Sequence, residues 1–287
     1  MAAPDLGKIG IWAAELRGID NAAVDEAAAE LDELGFGALW MPGGRDGNTL
    51  IDVSQRLAAT RRIVVATGII NLWKHEPRDV ADWYAGLSDD HKGRVMIGIG
   101  ISHSRSIGEA WDKPLTRMRQ FIDALDVAGM AMDHTCLAAL GPKMVALSGE
   151  RTAGAHPYLV SPDHTREARE ILGPDSLLMP EQGVILETDP ARARAIGLEA
   201  LVHYRGLPNY RNSWKRLGFS EEEVEEMAPR LFDALFTWGG MDKIAQRVRA
   251  HHDAGANHVC LQVAAGPIGQ PLSVLMPKWR ELAEALL

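Results

Sequence analysis

Short apolar runs alternate with amphipathic stretches along the whole chain. The first run is KIGIWA, residues 8–13. NAAVDEAAAELDELG follows, in which Asn21 can cap a helix rich in Ala and Glu and Gly35 stands at its stop. GALWMP (37–42) reads as a second strand and TLIDVSQRLAAT (49–60) as the helix after it. RIVVATGIIN (62–71) is the clearest strand because it is dense in β-branched residues. Pro77 and RDVADWYAGLSDD come next, then the strand RVMIGIG (94–100), and then a helix opening after Pro114. The second half repeats the pattern. TCLAAL (135–140), AHPYLV (155–160), LLMPEQGVIL (177–186) and HVCLQVA (258–264) are its strands. Proline or a Ser/Asp-Pro pair opens the helices after the first three, at Pro142, Ser161-Pro162 and Asp189-Pro190.

Eight strands separated mostly by helices predict an α/β fold, a (β/α)8 TIM barrel, rather than a doubly wound open sheet. Two stretches exceed the minimal barrel, about 104–113 and 206–240. Long excursions of this kind are often lids or binding loops, so residues 1–287 read as a single domain with two insertions.

Composition narrows the class. The chain has 287 residues, 46% hydrophobic and 24% charged, which is ordinary for a globular protein. A formal net charge of −9 without a Lys/Arg-rich block disfavours nucleic acid as a partner. No apolar run reaches the ~20 residues that a membrane span needs, and MAAPDLGKIG lacks the marks of a secretory signal. Two cysteines, Cys136 and Cys260, lie in apolar stretches and read as core residues, which fits a reducing cytoplasm.

In a barrel, chemistry collects where the strands end. Those ends carry Glu15, Gly43-Gly44-Arg45, the run from Ile69 to His75, Ser102-His103-Ser104, Leu140-Gly141, Tyr158 to Ser161, Glu181-Gln182 and Gln262. The rim is rich in glycine and aromatics and poor in acids. It suits a large, flat, partly apolar ligand better than a metal, and no HExxH or CxxC pattern occurs. Trp12, Trp40, Trp73 and Trp111 sit near strand ends and read either as core or as a stacking wall. His103 reads as a general acid, a hydrogen-bond donor to a ligand, or a solvated loop residue. Glu15 reads as a site residue or a solvated one, and Gly43-Gly44 as a tight turn or an opening. His251 and His252 are adjacent, so on a helix they point apart, and both read as surface residues.

Several stretches together resemble the bacterial luciferase-like flavin and deazaflavin oxidoreductases, and within them the actinobacterial enzymes that use coenzyme F420. They are LGFGALWMP, RIVVATGIINLWKHEP, GRVMIGIGISHS, LAALGPKMVALSGERTAGAHPYLVSPDHTREAREILGP, LPNYRNSWKRLGF and DAGANHVCLQV. The resemblance implies an F420-dependent oxidoreductase that moves a hydride between the deazaflavin and a small organic substrate. An FMN-dependent monooxygenase using O2 and a non-catalytic deazaflavin-binding barrel are the alternatives. It implies a bulge in the third strand with a cis peptide at Gly68–Ile69 behind the ring, with Asn71 at the ring edge. Gly98, Gly100 and Ser102 would bring bare backbone to the ring, and Leu140 and Gly141 would pass under the cofactor side chain, with Lys143 near its phosphate. His103 is the expected proton-transfer residue, with His75 second. Trp12, Glu15, Trp73 and Tyr210 are expected around the substrate. Gly43-Gly44 replaces the Asp-His pair that many deazaflavin relatives carry, and His103 stands where sugar-phosphate-oxidising relatives carry a glutamate. No metal is expected, and likeness to the family suggests a homodimer.

Overall fold

The computed structural model describes residues 2–17, 21–43, 47–103, 107–108, 112–267 and 269–287. Gly44, Arg45, Ser104 and Trp111, together with most of the 104–113 stretch, lie outside the described residues.

The apolar runs form one sheet. Its strands are β1 (Ile9–Trp12), β2 (Ala38–Met41), β3 (Val64–Asn71), β4 (Val95–Gly100), β5 (Thr135–Leu137), β6 (Gly154–Ala155), β7 (Leu177–Leu178), β8 (Glu181–Ile185), β9 (Phe236–Trp238) and β10 (Val259–Val263). The sheet has ten strands in the order β7-β6-β5-β4-β3-β2-β1-β10-β8-β9, and every pairing is parallel. Parallel neighbours need crossovers, and the helices supply them.

Two strands beyond the expected eight have a physical origin. Pro180 has no N–H to give a ladder, so the run 177–185 is split into β7 and β8. The run still bonds on both sides. Met179 N donates to Ala155 O and Glu181 N to Pro157 O, both at 2.9 Å, while Cys260 N donates to Pro180 O at 3.0 Å. The sheet is therefore curled, with this run standing between β6 and β10. β9 closes the 206–240 excursion, which is largely helical: Pro208–Arg216, Glu221–Glu225 and Pro229–Leu235 precede it. These helices pack with Pro190–Arg205 on a hydrophobic cluster of their own, centred on the fully buried Trp214 and Leu231.

The expected strand at 155–160 stops after Ala155. Pro157 cannot donate, and Leu159 adopts φ 52°, outside strand geometry. His251 is fully buried rather than on the surface. Its Nδ1 is 2.8 Å from Thr165 Oγ1 and its Nε2 2.9 Å from Gln182 Oε1, so hydrogen bonding satisfies the polar atoms that burial would otherwise strand. Cys136 and Cys260 are buried as expected, and burial pushes both thiols up. Among the described residues, no helix is long and apolar enough to cross a membrane.

β3 and β4 are anchored firmly at their starts. The buried Asp32 carboxylate accepts the N–H groups of Arg61, Arg62 and Ile63 at 2.7, 3.1 and 3.0 Å. Burial alone would raise its pKa, but those donors outweigh it and hold the carboxyl below its ordinary range. Arg94, at the foot of β4, donates to the carbonyls of Leu57, Thr60 and Ile63. The irregularity at the far end of β3 thus sits on a strand that cannot slide.

Candidate functional site

The carboxyl ends of β1 to β6 surround a cavity of about 410 Å³. Its lining is mainly backbone and apolar surface, and the described lining residues include no Asp, Glu, Lys or Arg.

The back wall is β3. Its register against β4 shifts between Thr67 and Ile70, and the Gly68–Ile69 peptide bond within that bulge is cis. Neighbours hold the bulge in place. Trp12 Nε1 donates to Gly68 O at 3.1 Å, and Gly43 N donates to Ile69 O at 2.9 Å. Leu72 N then donates to Gly100 O at 3.0 Å, so regular pairing resumes.

The glycines in this wall are required by packing. A Cβ on Gly98 would come within 2.1 Å of Thr67 O, and one on Gly100 within 2.3 Å of Ile69 Cδ1. They make room for the bulge rather than for a ligand, which corrects the expectation for Gly98; it does not line the cavity, whereas Gly100 does. Gly43 follows the same rule, since a Cβ there would meet Ile69 O at 2.2 Å. Its neighbour Gly44 lies outside the described residues.

Of the other residues singled out in the sequence, Trp12, Ile69, Ser102, His103, Leu140, Gly141 and Tyr210 all line the cavity with Gly68. Ser102 adopts φ 60°, a left-handed turn that lifts the chain off β4 and leaves His103 over the cavity. The His103 and Tyr210 rings lie 5.8 Å apart at 51°.

Asn71, Trp73, His75 and Glu15 do not line it. Asn71 turns its side-chain oxygen to Trp73 N at 3.0 Å, and its carbonyl takes His75 Nδ1 at 3.1 Å, so both residues stabilise the turn after β3. Trp73 donates from its indole to Ile101 O at 2.9 Å and carries the Arg117 guanidinium 5.6 Å from its ring centroid. Glu15 accepts from Gly269 N at 2.8 Å. Trp40 is buried in the interior, stacked on His156 with centroids 4.1 Å apart, so for it the core reading holds, and Trp12 alone of Trp12, Trp40 and Trp73 lines the cavity.

The rest of the lining is largely aromatic. Tyr158 and Tyr204 join Tyr210 as an aromatic side wall, with centroids 5.5 Å apart for Tyr158–Tyr204 and 4.9 Å for Tyr204–Tyr210. Tyr204 donates to the Tyr158 hydroxyl at 3.3 Å, and Tyr158 donates to Gln262 Oε1 at 2.7 Å. Burial holds all three phenols above their ordinary range, so they are neutral donors at physiological pH. Glu181 lies fully buried with one oxygen accepting Leu159 N at 2.8 Å, and burial pushes its carboxyl up to about 8. His156 is the lining residue that sequence reasoning passed over, and it stands at the floor beside Gly68.

Comparison with known proteins places this arrangement. Residues 9–129, which include β1 to β4 and hence the bulged wall, match the family described as luciferase-like monooxygenase. A 5,10-methylenetetrahydromethanopterin reductase of Archaeoglobus fulgidus is 23% identical over 299 aligned residues, covering 83% of this chain and 87% of the relative. Among solved structures, an F420-dependent secondary alcohol dehydrogenase in complex with an F420-acetone adduct has a TM-score of 0.72 at 15% identity. That likeness covers 100% of this chain and 98% of the other. The oxygenating constituent of 3,6-diketocamphane monooxygenase from Pseudomonas putida, in complex with FMN, has a TM-score of 0.69 at 14% identity and covers 98% of each chain. At such identities the structural likeness carries the fold alone. The sequence match carries more, and it is confined to residues 9–129, which resemble the luciferase-like monooxygenase family.

Proposed function

We propose that the protein is an oxidoreductase that moves a hydride between coenzyme F420 and a small, uncharged organic substrate. One observation carries this reading: the β3 bulge between Thr67 and Ile70 forms the back wall of a cavity whose described lining bears no carboxylate, amine or guanidinium. A flat ring with polar edges needs an apolar face to lie on and a few hydrogen-bonding groups around it. Ile69 offers that face, and His103, His156 and the tyrosines offer the polar groups, so the residues present fit a deazaflavin. When bound, that coenzyme supplies or accepts the hydride.

The chain's own part is to position, exclude water and handle a proton. Gly68, Ile69, Gly100, Ser102, Leu140 and Gly141 hold the ring and its side chain. Lys143, exposed at the start of the helix Pro142–Arg151, is free to meet a phosphate from outside the cavity. Trp12, Tyr158, Tyr204 and Tyr210 enclose the substrate and keep its surroundings dry. His103 exchanges a proton with the substrate oxygen, a role imidazole fills near neutral pH. In this reading the curled sheet is an eight-stranded barrel whose seventh stave is the run 177–185. The hydrogen bonds on both sides of that run support it.

The test is a fluorescence titration of the purified protein with oxidised F420 and, separately, with FMN. Saturable quenching by F420 and hydride exchange with an alcohol or carbonyl panel is the expected result. Binding of FMN alone sinks the cofactor assignment and favours an oxygen-using enzyme. Tight F420 binding without exchange makes the protein a carrier.

A further inference from the structure

We propose that His156 positions the coenzyme by accepting, at Nε2, a hydrogen bond from the imide N–H on the edge of the deazaflavin ring. The inference rests on the function proposed above and adds a residue that its sequence gave no reason to select.

The tautomer follows from the neighbours. His156 Nδ1 is 2.7 Å from the Met179 carbonyl oxygen, which can only accept, so the ring proton sits on Nδ1 and Nε2 presents a lone pair. The imidazole is also fixed in orientation. It stacks on Trp40 with centroids 4.1 Å apart and planes 15° from parallel. Trp40 is held in turn by its indole N–H, 3.1 Å from His258 Nε2, and His258 donates from Nδ1 to Gly7 O at 3.0 Å.

Nε2 is buried and has no hydrogen-bond partner among the described residues, on a residue only 1% exposed that lines the cavity. Native proteins rarely leave a buried acceptor unsatisfied, and such an atom calls for a ligand or an ordered water. Gly68 keeps the approach open, because a Cβ there would stand 2.9 Å from Nε2. The other polar group at that corner, the indole N–H of Trp12, is already spent on Gly68 O. Burial pushes the imidazole down to about 4, so at neutral pH it is an acceptor and not an acid. An acceptor beside the apolar back wall matches a ring that is apolar across its face and presents an N–H at its edge.

The experiment compares F420 binding by wild type, His156→Phe and His156→Gln, read by fluorescence quenching. Phe keeps an aromatic ring against Trp40 but cannot accept, whereas a Gln carbonyl can reach the Nε2 position. We expect about 10-fold weaker binding for the Phe variant and recovery to within about 3-fold of wild type for Gln. In wild-type protein with 15N-labelled histidine, the Nε2 resonance of His156 should move upfield when F420 saturates the site. Unchanged affinity in His156→Phe, or a loss that Gln does not recover with an Nε2 resonance that stays put, overturns the proposal. If the Phe variant fails to fold, the wild-type resonance decides alone. Wild type that binds neither F420 nor FMN sinks the proposed function and this inference together, whereas wild type that binds F420 with a static Nε2 sinks this inference only.

Discussion

The cavity has two unlike walls. The wall made by β3 and β4 is backbone, packed so closely that Gly98 and Gly100 have no room for a methyl group. The wall opposite is side chain: Tyr204 and Tyr210 ride on the helices Pro190–Arg205 and Pro208–Arg216, over a hydrophobic cluster separate from the main core. Such a wall tolerates little change, because an atom added at Gly98 or Gly43 must displace a peptide and one added at Gly100 must displace the Ile69 side chain. A wall of side chains on its own helices can be reshaped by substitution at modest cost. The division suits an enzyme with a constant coenzyme on one side and a changeable substrate on the other.

The comparison breaks most visibly at Gly98. Gly98→Val would drive a side chain into Thr67 O, so we expect little or no folded protein, measured as loss of the cooperative thermal transition. Gly141→Ala adds the same first carbon where nothing lies within 4 Å, and its transition should stay within about 1 °C of wild type. Equal effects at the two glycines would mean that the strand wall is no tighter than the rest.

His103 stands at the edge between the walls. Replacing it with alanine should slow turnover by about 100-fold or more, the range for loss of a general acid or base, while F420 affinity stays within about 2-fold. A variant with normal turnover returns His103 to a loop position without a chemical role.

The strand wall was readable in the sequence and the helical wall only in part, through Tyr210 and the 206–240 excursion. Residues 62–71 announce a strand by their branched side chains, and the glycines of 94–100 signal a close approach, though what approaches is Ile69 and the Thr67 carbonyl. Phe236–Trp238 went unread because three strand residues follow directly on the helical pattern PRLFDAL, with no turn between them. Asn71 and His75 were misassigned because a polar residue after a strand looks the same whether it faces a ligand or closes its own turn. His156 carried no signal at all: a histidine before a proline in an apolar run reads as core, and only the Met179 carbonyl in space defines its bare nitrogen.

Glu181, buried and accepting Leu159 N, gives the fold a pH dependence. Burial lifts that carboxyl from 4.5 to about 8, so the folded state prefers the protonated form. Its contribution to stability is intact below pH 4.5 and is lost progressively as pH rises towards 8. Glu181→Gln has no such loss, so its advantage over wild type should grow between pH 5 and pH 8.5, to about 2 kcal/mol or roughly 4 °C in melting temperature. The buried histidine His251 works in the opposite direction. Burial pushes it down to about 3, so its contribution is lost as pH falls from 6.5 towards 3 in both proteins. A constant gap between the two proteins across this range would mean that Glu181 is already ionised in the fold.

The smallest effect is the sharpest test of the division. Tyr158 spends its proton on Gln262, so the bond between Tyr158 and Tyr204 needs the Tyr204 hydroxyl as donor. Tyr204→Phe removes that donor and leaves the ring packing in place. The cost should be about 0.5–1 kcal/mol, a fall of roughly 1–3 °C in melting temperature, because Tyr158 keeps its stronger partner. Under the proposed function F420 affinity should not change by more than about 2-fold, since that reading has the opposite wall hold the ring. The substrate KM should shift instead, because the same reading gives that hydroxyl to the substrate's side. If coenzyme affinity falls 10-fold in this variant, the helical wall is holding the ring, and the two sides of the cavity do not divide their labour in this way.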